Sequence, residues 1–214
     1  MKKRLLILLV LLLAVSAVWA DSSEYSKYYY SMGLNISRSD FDYHDESIWD
    51  EIGLGGNPNG KKIAIGAEIR LNLGYFRLNV TGDFSVLTPQ FLYFSGMSDM
   101  GVAFDFKNVV GLGLGLGPNM AFIFSSNGGT PQYITPDEDI PIKEASIFYA
   151  WVHSPFNYNV TLEAIIGPVM RVGFSYTFPT EFNLEKFELE KLNPFLKGNF
   201  DSGKVSFFVL MRVF

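Results

Sequence analysis

The sequence predicts an all-β protein, an eight-stranded antiparallel up-and-down β-barrel that crosses a membrane with its strands. Three observations carry this. The first is Val110 to Ser125, V-G-L-G-L-G-L-G-P-N-M-A-F-I-F-S, which alternates apolar and small residues without a slip. A period of two belongs to a strand; a helix would have to hold four glycines at about 1 kcal/mol each and an internal proline at about 3 kcal/mol. Ordinary strands run to about 5 or 6 residues, so a long one with an oily face and a nearly bare face suits a tall wall between lipid and a crowded lumen. The second is composition: 48% hydrophobic and 16% aromatic against 18% charged, with 20 glycines beside 20 phenylalanines. Those proportions fit a β-rich chain with an apolar surface. The third is the alternation of tight turns with long polar loops along the chain.

The first twenty residues read as an address. Lys2, Lys3 and Arg4 form a basic start, Leu5 to Val15 an apolar core, and Val18-Trp19-Ala20 a small-residue end of the A-x-A kind, a secretory signal peptide cleaved after Ala20. The apolar run is shorter than the roughly 20 residues a membrane helix needs. Residues 21–214 then form one barrel domain. Removing the three basic residues takes the formal net charge from −5 to −8, an acidic chain with no basic patch for nucleic acid. There is no cysteine, hence no disulfide frame, thiolate metal site, thiol nucleophile or lipidated N-terminal cysteine.

Strand one, Lys27 to Ser37, sets Tyr28, Tyr30, Met32, Leu34 and Ile36 against Tyr29, Ser31, Gly33, Asn35 and Ser37. Ser39 to Gly60, rich in Asp, Gly and Asn, is a long loop. Strand two, Lys61 to Asn72, and strand three, Tyr75 to Val86, flank a tight turn at Leu73-Gly74. A second loop covers Leu87 to Asp99, and strand four follows with Val102, Phe104 and Phe106 alternating with Gly101, Ala103 and Asp105. Lys107-Asn108 turns the chain into strand five, Val110 to Ser125. Loop three covers Ser126 to Pro141. Strand six, Lys143 to His153, is apolar on both faces, and Ser154 to Asn157 turns the chain again. Strand seven alternates in one frame from Val160 to Phe178. Pro179 to Ser202 is the fourth loop, with a short helix expected within Asn183 to Leu192, and strand eight, Gly203 to Phe214, closes the chain.

Eight strands, with short turns and long loops in strict alternation, are the pattern of a bacterial outer-membrane barrel, with both termini on the periplasmic side. A soluble sandwich also uses such strand numbers, but would face polar side chains outward.

The candidate sites follow from the frames. Glu68, Arg70, Arg77, Asp83, Asp105, Glu163 and Arg171 fall on inward faces with Asn72, Asn79 and Thr81. Charges in a narrow lumen need partners, and eight strands leave an interior just wide enough for side chains to fill, so a salt-bridged plug is favoured over an ion path. The acids of loop one (Asp40, Asp42, Asp45, Glu46, Asp50, Glu51) and Asp137, Glu138 and Asp139 in loop three read as solvated charge; no Asp-x-Asp-x-Asp-Gly calcium loop is present. No cofactor or metal is expected. The histidines are His44 in loop one and His153 beside a periplasmic turn; a lipid-modifying site would need His44 with Ser98-Asp99 in loop two, a weak combination. The chain is therefore not expected to be an enzyme.

On this pattern, and on the terminal aromatic Phe214, the chain resembles the small eight-stranded outer-membrane barrels of the outer membrane protein A, X and W type, the W type most. The resemblance implies residence in the outer membrane, contact with its lipid and glycolipid, and insertion by the barrel-assembly machinery, for which Phe214 is the implied signal. It implies a structural, surface-interaction or small-solute role, with host surface molecules or small hydrophobic ligands as partners. One further feature is the repeat Gly117-Pro118-x-Met120 and Gly167-Pro168-x-Met170. Taken as lying level in strands five and seven, the two prolines predict a local weakness in the wall, since neither donates a ladder hydrogen bond. This is similar to the W-type arrangement, which implies a lateral path for hydrophobic molecules; bulges that tune strand curvature are the competing reading.

Overall fold

The computed structural model describes residues 28–39, 62–125, 127–134, 143–193 and 203–213. The expected leader 1–20, His44 and the loop-one acids, Asp137 to Asp139, and Phe214 lie outside the described residues. Among the described residues there are ten strands: β1 (Tyr28–Ser39), β2 (Lys62–Leu73), β3 (Phe76–Thr88), β4 (Phe91–Phe106), β5 (Val110–Ser125), β6 (Gln132–Ile134), β7 (Lys143–Glu144), β8 (Phe156–Ile166), β9 (Met170–Phe178) and β10 (Lys204–Val213). A helix, α1 (Ile147–His153), precedes β8, and a 3-10 turn spans Leu189–Leu192.

Eight strands close into an antiparallel barrel in the order β1-β2-β3-β4-β5-β8-β9-β10, and β10 returns to β1 with Met32 opposite Met211. The two shortest, β6 and β7, form a spur on β5, with Phe122 opposite Tyr133 and Tyr133 opposite Lys143. One end of the barrel, the turn end, holds Tyr28, Val213 and the turns 74–75, 107–109 and 167–169; the other, the loop end, holds the remaining connections.

The pleat sorts the side chains. Leu34, Ile65, Val80, Phe84, Leu114 and Phe174 are exposed on the outside, while Asn35, Arg70, Asn79, Asp83, Thr161 and Glu163 are buried inside. A water-soluble fold reverses this distribution. A barrel in hydrocarbon requires it, because every backbone polar group must be satisfied within the wall.

Several expected boundaries are corrected. Leu87 to Asp99 is not a loop: β3 runs on to Thr88, the chain turns at Pro89-Gln90, and Phe91 to Asp99 is the first half of β4. The loop end therefore has three long connections and one tight turn rather than four long loops. Strand six does not exist. Lys143 and Glu144 form β7, and Ile147–His153 is helical because the Ser146 hydroxyl accepts from Tyr149 N and Ala150 is small enough to sit fully buried against Phe122 and Tyr133. Strand seven is two strands. Gly167 takes a left-handed φ of 59°, which opens the turn between β8 and β9 and sets Ile166 opposite Met170. The two errors offset each other, so the barrel still has eight strands.

Candidate functional site in the barrel lumen

Inward residues of five strands meet in one polar network. Arg70 of β2 donates to Glu68 two residues away and to Glu163 of β8. In the closed ring β2 and β8 stand four strands apart, so the Arg70–Glu163 pair crosses the lumen from opposite walls. Arg77 of β3 reaches the same carboxylate at 2.9 Å and also donates to Asn72 Oδ1 at 3.1 Å and Thr161 Oγ1 at 3.0 Å. Arg171 of β9 pairs with Glu163 and, at 2.6 Å, with Asp105 of β4. Glu163 is thus shared by three guanidinium groups and is itself fully buried. Each Arg presents several fixed donors, the geometry that lets one carboxylate bridge several strands.

Toward the loop end a second layer follows. Asp99 accepts from Asn79 Nδ2 and Asn159 Nδ2, both at 3.1 Å, and Asp83 pairs with Lys204 of β10 and with the Ser37 hydroxyl. Above it, on the β3–β5 side of the lumen, Leu87, Tyr93, Ala121, Ile123 and Ile134 pack together against Phe91. Toward the turn end the Tyr29 ring lies under the guanidinium groups of Arg171 and Arg212, at 4.7 and 4.3 Å.

The bare face of β5 belongs to this network. A Cβ on Gly111 would come within 2.6 Å of Glu163 Oε1, and one on Gly113 within 2.6 Å of Arg77 Nη1. The glycines leave the volume that long side chains from the other walls occupy.

Of the residues expected to face inward, Glu68, Arg70, Arg77, Asp105, Glu163 and Arg171 join in one cluster, and Asp83 sits apart in the layer above. Sequence reasoning missed Asp99, Asn159 and Lys204. Asp99 closes the expected second loop, but its spacing from Gly101, Ala103 and Asp105 puts it in their frame.

The proline pair is not level. Pro118 ends the β5–β8 pairing near the loop end, opposite Phe156, whereas Gly167 and Pro168 lie in the 167–169 turn at the turn end. At Pro118 the wall continues: Asn119 N donates to Pro155 O at 3.0 Å, and β6 takes over the pairing along Ala121 to Ile123. Gly117-Pro118 and Gly167-Pro168 therefore do not form the expected level pair, because the second motif turns the chain instead of crossing the wall; at the first, the β4–β5 register passes from Met97 opposite Asn119 to Met100 opposite Leu116 without pairing Ser98 or Asp99.

Of the alternative catalytic set, His44 lies outside the described residues, and Ser98 and Asp99 do not converge. Ser98 pairs with Val80 on the outer face and Asp99 with Asn79 on the inner face of one continuous strand. His153 is at the loop end, not beside a periplasmic turn, as the last residue of α1; its Nδ1 bonds Tyr149 O at 2.8 Å and its Nε2 lies 3.3 Å from Glu185. The Nδ1 contact lies within α1, and the Nε2 contact ties α1 to the chain after β9.

No protein-family model and no curated protein matches the chain. Solved structures align with most of the chain at low sequence identity. Neisserial surface protein A (NspA) aligns with a TM-score of 0.47 at 11% identity over 89% of this chain and 99% of that one. Ail, the attachment invasion locus protein of Yersinia pestis, aligns with a TM-score of 0.40 at 12% identity over 86% of this chain and 95% of that one. By its own strand order and its outward apolar faces, the chain has the architecture of the small eight-stranded outer-membrane barrels.

Proposed function

We propose that the chain is an integral outer-membrane protein, delivered by the leader 1–20 and inserted as the domain 21–214, that displays its loop-end elements at the surface and has no open path through its lumen. The cross-lumen bracing carries this reading: Arg70 and Glu163 meet from opposite walls, and Arg77 and Arg171 close on the same carboxylate. The role is structural or surface-interacting rather than catalytic or pore-forming, with membrane lipid and glycolipid as its constant partners. The turn end faces the periplasm, since short turns mark that side of such barrels. Planar bilayers containing the reconstituted chain test the closed lumen: the expected result is no steady ion current, and stepwise conductance in the wild type would overturn it. Fractionation with outer membranes and heat-modifiable gel migration test the barrel itself; recovery as a soluble protein after osmotic shock contradicts it.

A further inference from the structure

The helix α1 does not face the lumen. It packs on the outside of the wall, where Ala150 is buried against Phe122 and Tyr133, with Met120 and Phe124 of β5, Phe94 of β4 and Tyr149 alongside. Met120, Phe122 and Phe124 continue the outward frame of β5, whose lower members Leu112 and Leu114 are exposed in the apolar belt. The helix thus covers the top of the lipid-facing surface of β5. It presents a replacement on its far side: Ile147 is 72% exposed, Phe148 75% and Trp151 38%. Positions spaced by three and four residues share one helix face, so these three form a single apolar stripe.

The chain after β9 prolongs the same side. Phe156, in the outward frame of β8, meets Phe182 at 5.6 Å between ring centroids, and Phe182 meets Phe187 at 5.3 Å. Phe187 and Leu189 are exposed. Leu184 N donates to Val152 O at 3.1 Å, and His153 faces Glu185 at 3.3 Å, so this segment and α1 are tied to each other. The helix leads into β8 and the segment leaves β9, two neighbouring strands of the belt.

Resting on the membrane reading above, we propose that α1 and Phe187–Leu189 form an interfacial collar on the β5–β8 side of the loop end, seated in the headgroup and upper acyl region of the surrounding lipid. The occupant is lipid because the stripe is continuous with the belt that faces lipid lower down, and because a tryptophan with aliphatic and aromatic neighbours suits that depth. An exposed apolar patch of this kind elsewhere on a protein would mark an association surface. Here it sits where the bilayer ends.

The test uses the full chain with Trp19→Phe and Trp49→Phe, leaving Trp151 as the sole one of its 3 tryptophans, refolded into phosphatidylcholine vesicles brominated high on the acyl chains. A companion chain adds Trp151→Phe and Leu114→Trp and is refolded into vesicles brominated deep on the chains. The expected result is loss of most of the emission in both, with Trp151 shielded from aqueous iodide, and recovery of much of the Trp151 emission when Ile147→Ser and Phe148→Ser are added. Quenching of the Leu114→Trp chain with Trp151 open to iodide and untouched by bromine overturns the collar and leaves the barrel standing. Shielding of Trp151 from iodide without bromine quenching, lost on dilution in lipid, overturns it in favour of contact between copies. If neither tryptophan responds to bromine, the membrane reading fails and the collar with it.

Discussion

Replacing Glu163 by glutamine tests the lumen network where it is most concentrated. The substitution keeps the shape of the side chain and removes the one charge shared by Arg70, Arg77 and Arg171. Arg70 retains Glu68, and Arg171 retains Asp105 at 2.6 Å. Arg77 is left with the neutral acceptors Asn72 and Thr161, a buried guanidinium without its carboxylate. Breaking a buried pair costs about 3 to 5 kcal/mol. Two of the three cations keep a partner, so the lower end applies, about 3 kcal/mol or roughly a hundredfold in the folding equilibrium. Urea titration of the reconstituted barrel, read by heat-modifiable gel migration, measures this directly. Glu144→Gln on the exposed strand β7 is the control and should shift stability by no more than about 0.5 kcal/mol. Adding Arg77→Gln to Glu163→Gln should restore much of the loss, because it removes the stranded charge. A Glu163→Gln barrel as stable as the control, or a double variant whose losses simply add, would refute the idea that the lumen is held by mutual neutralisation.

Three other expectations follow from the wall. Leu114 is 50% exposed in the belt, so Leu114→Arg should lower folded yield in vesicles by an amount matching about 2 to 4 kcal/mol, whereas Gln90→Arg in the loop-end turn should leave the yield unchanged; equal yields contradict the assigned lipid face. Gly113→Val should destabilise the barrel by about 1 to 3 kcal/mol of overpacking, since its side chain must displace Arg77 and Thr161; a neutral result in the same urea assay would mean the bare face of β5 is empty space. Lys107 and Asn108 hold left-handed φ values of 49° and 54°, so Asn108→Val should lower the unfolding midpoint by the equivalent of about 1 to 2 kcal/mol, while Asn108→Gly should not lower it.

The faces of the barrel were legible in the sequence because the side-chain period of a strand is two whatever surrounds it. Once lipid and lumen demand opposite polarities, the alternation of Leu112 and Leu114 with Gly111 and Gly113, or of Ile69 and Leu71 with Glu68 and Arg70, states which side is which. Strand ends were legible only where the turn disturbs that alternation. The turn at Gly74-Tyr75 joins Leu73 to Phe76 and moves the outward frame from odd to even positions, a break visible in the sequence. The turn at Gly167 to Val169 joins Ile166 to Met170; three intervening residues preserve the parity, and two strands read as one. The β3–β4 turn was hidden differently, because Gly96 and Ser98 put small residues on the outward face and blurred the contrast there.

What the tertiary structure alone decided was which side chains meet and which segments leave the wall. Alternation puts Glu163 inside but does not say that Arg70 reaches it from the opposite strand; that depends on ring closure, which sets β2 across from β8. The segment Ile147–His153 carries apolar residues in every direction, a pattern that a buried strand and a packed helix share. It became a helix because Ser146 caps it locally and Ala150 fits against Phe122 and Tyr133, the second a contact between residues far apart in the chain that exists only once the barrel has formed.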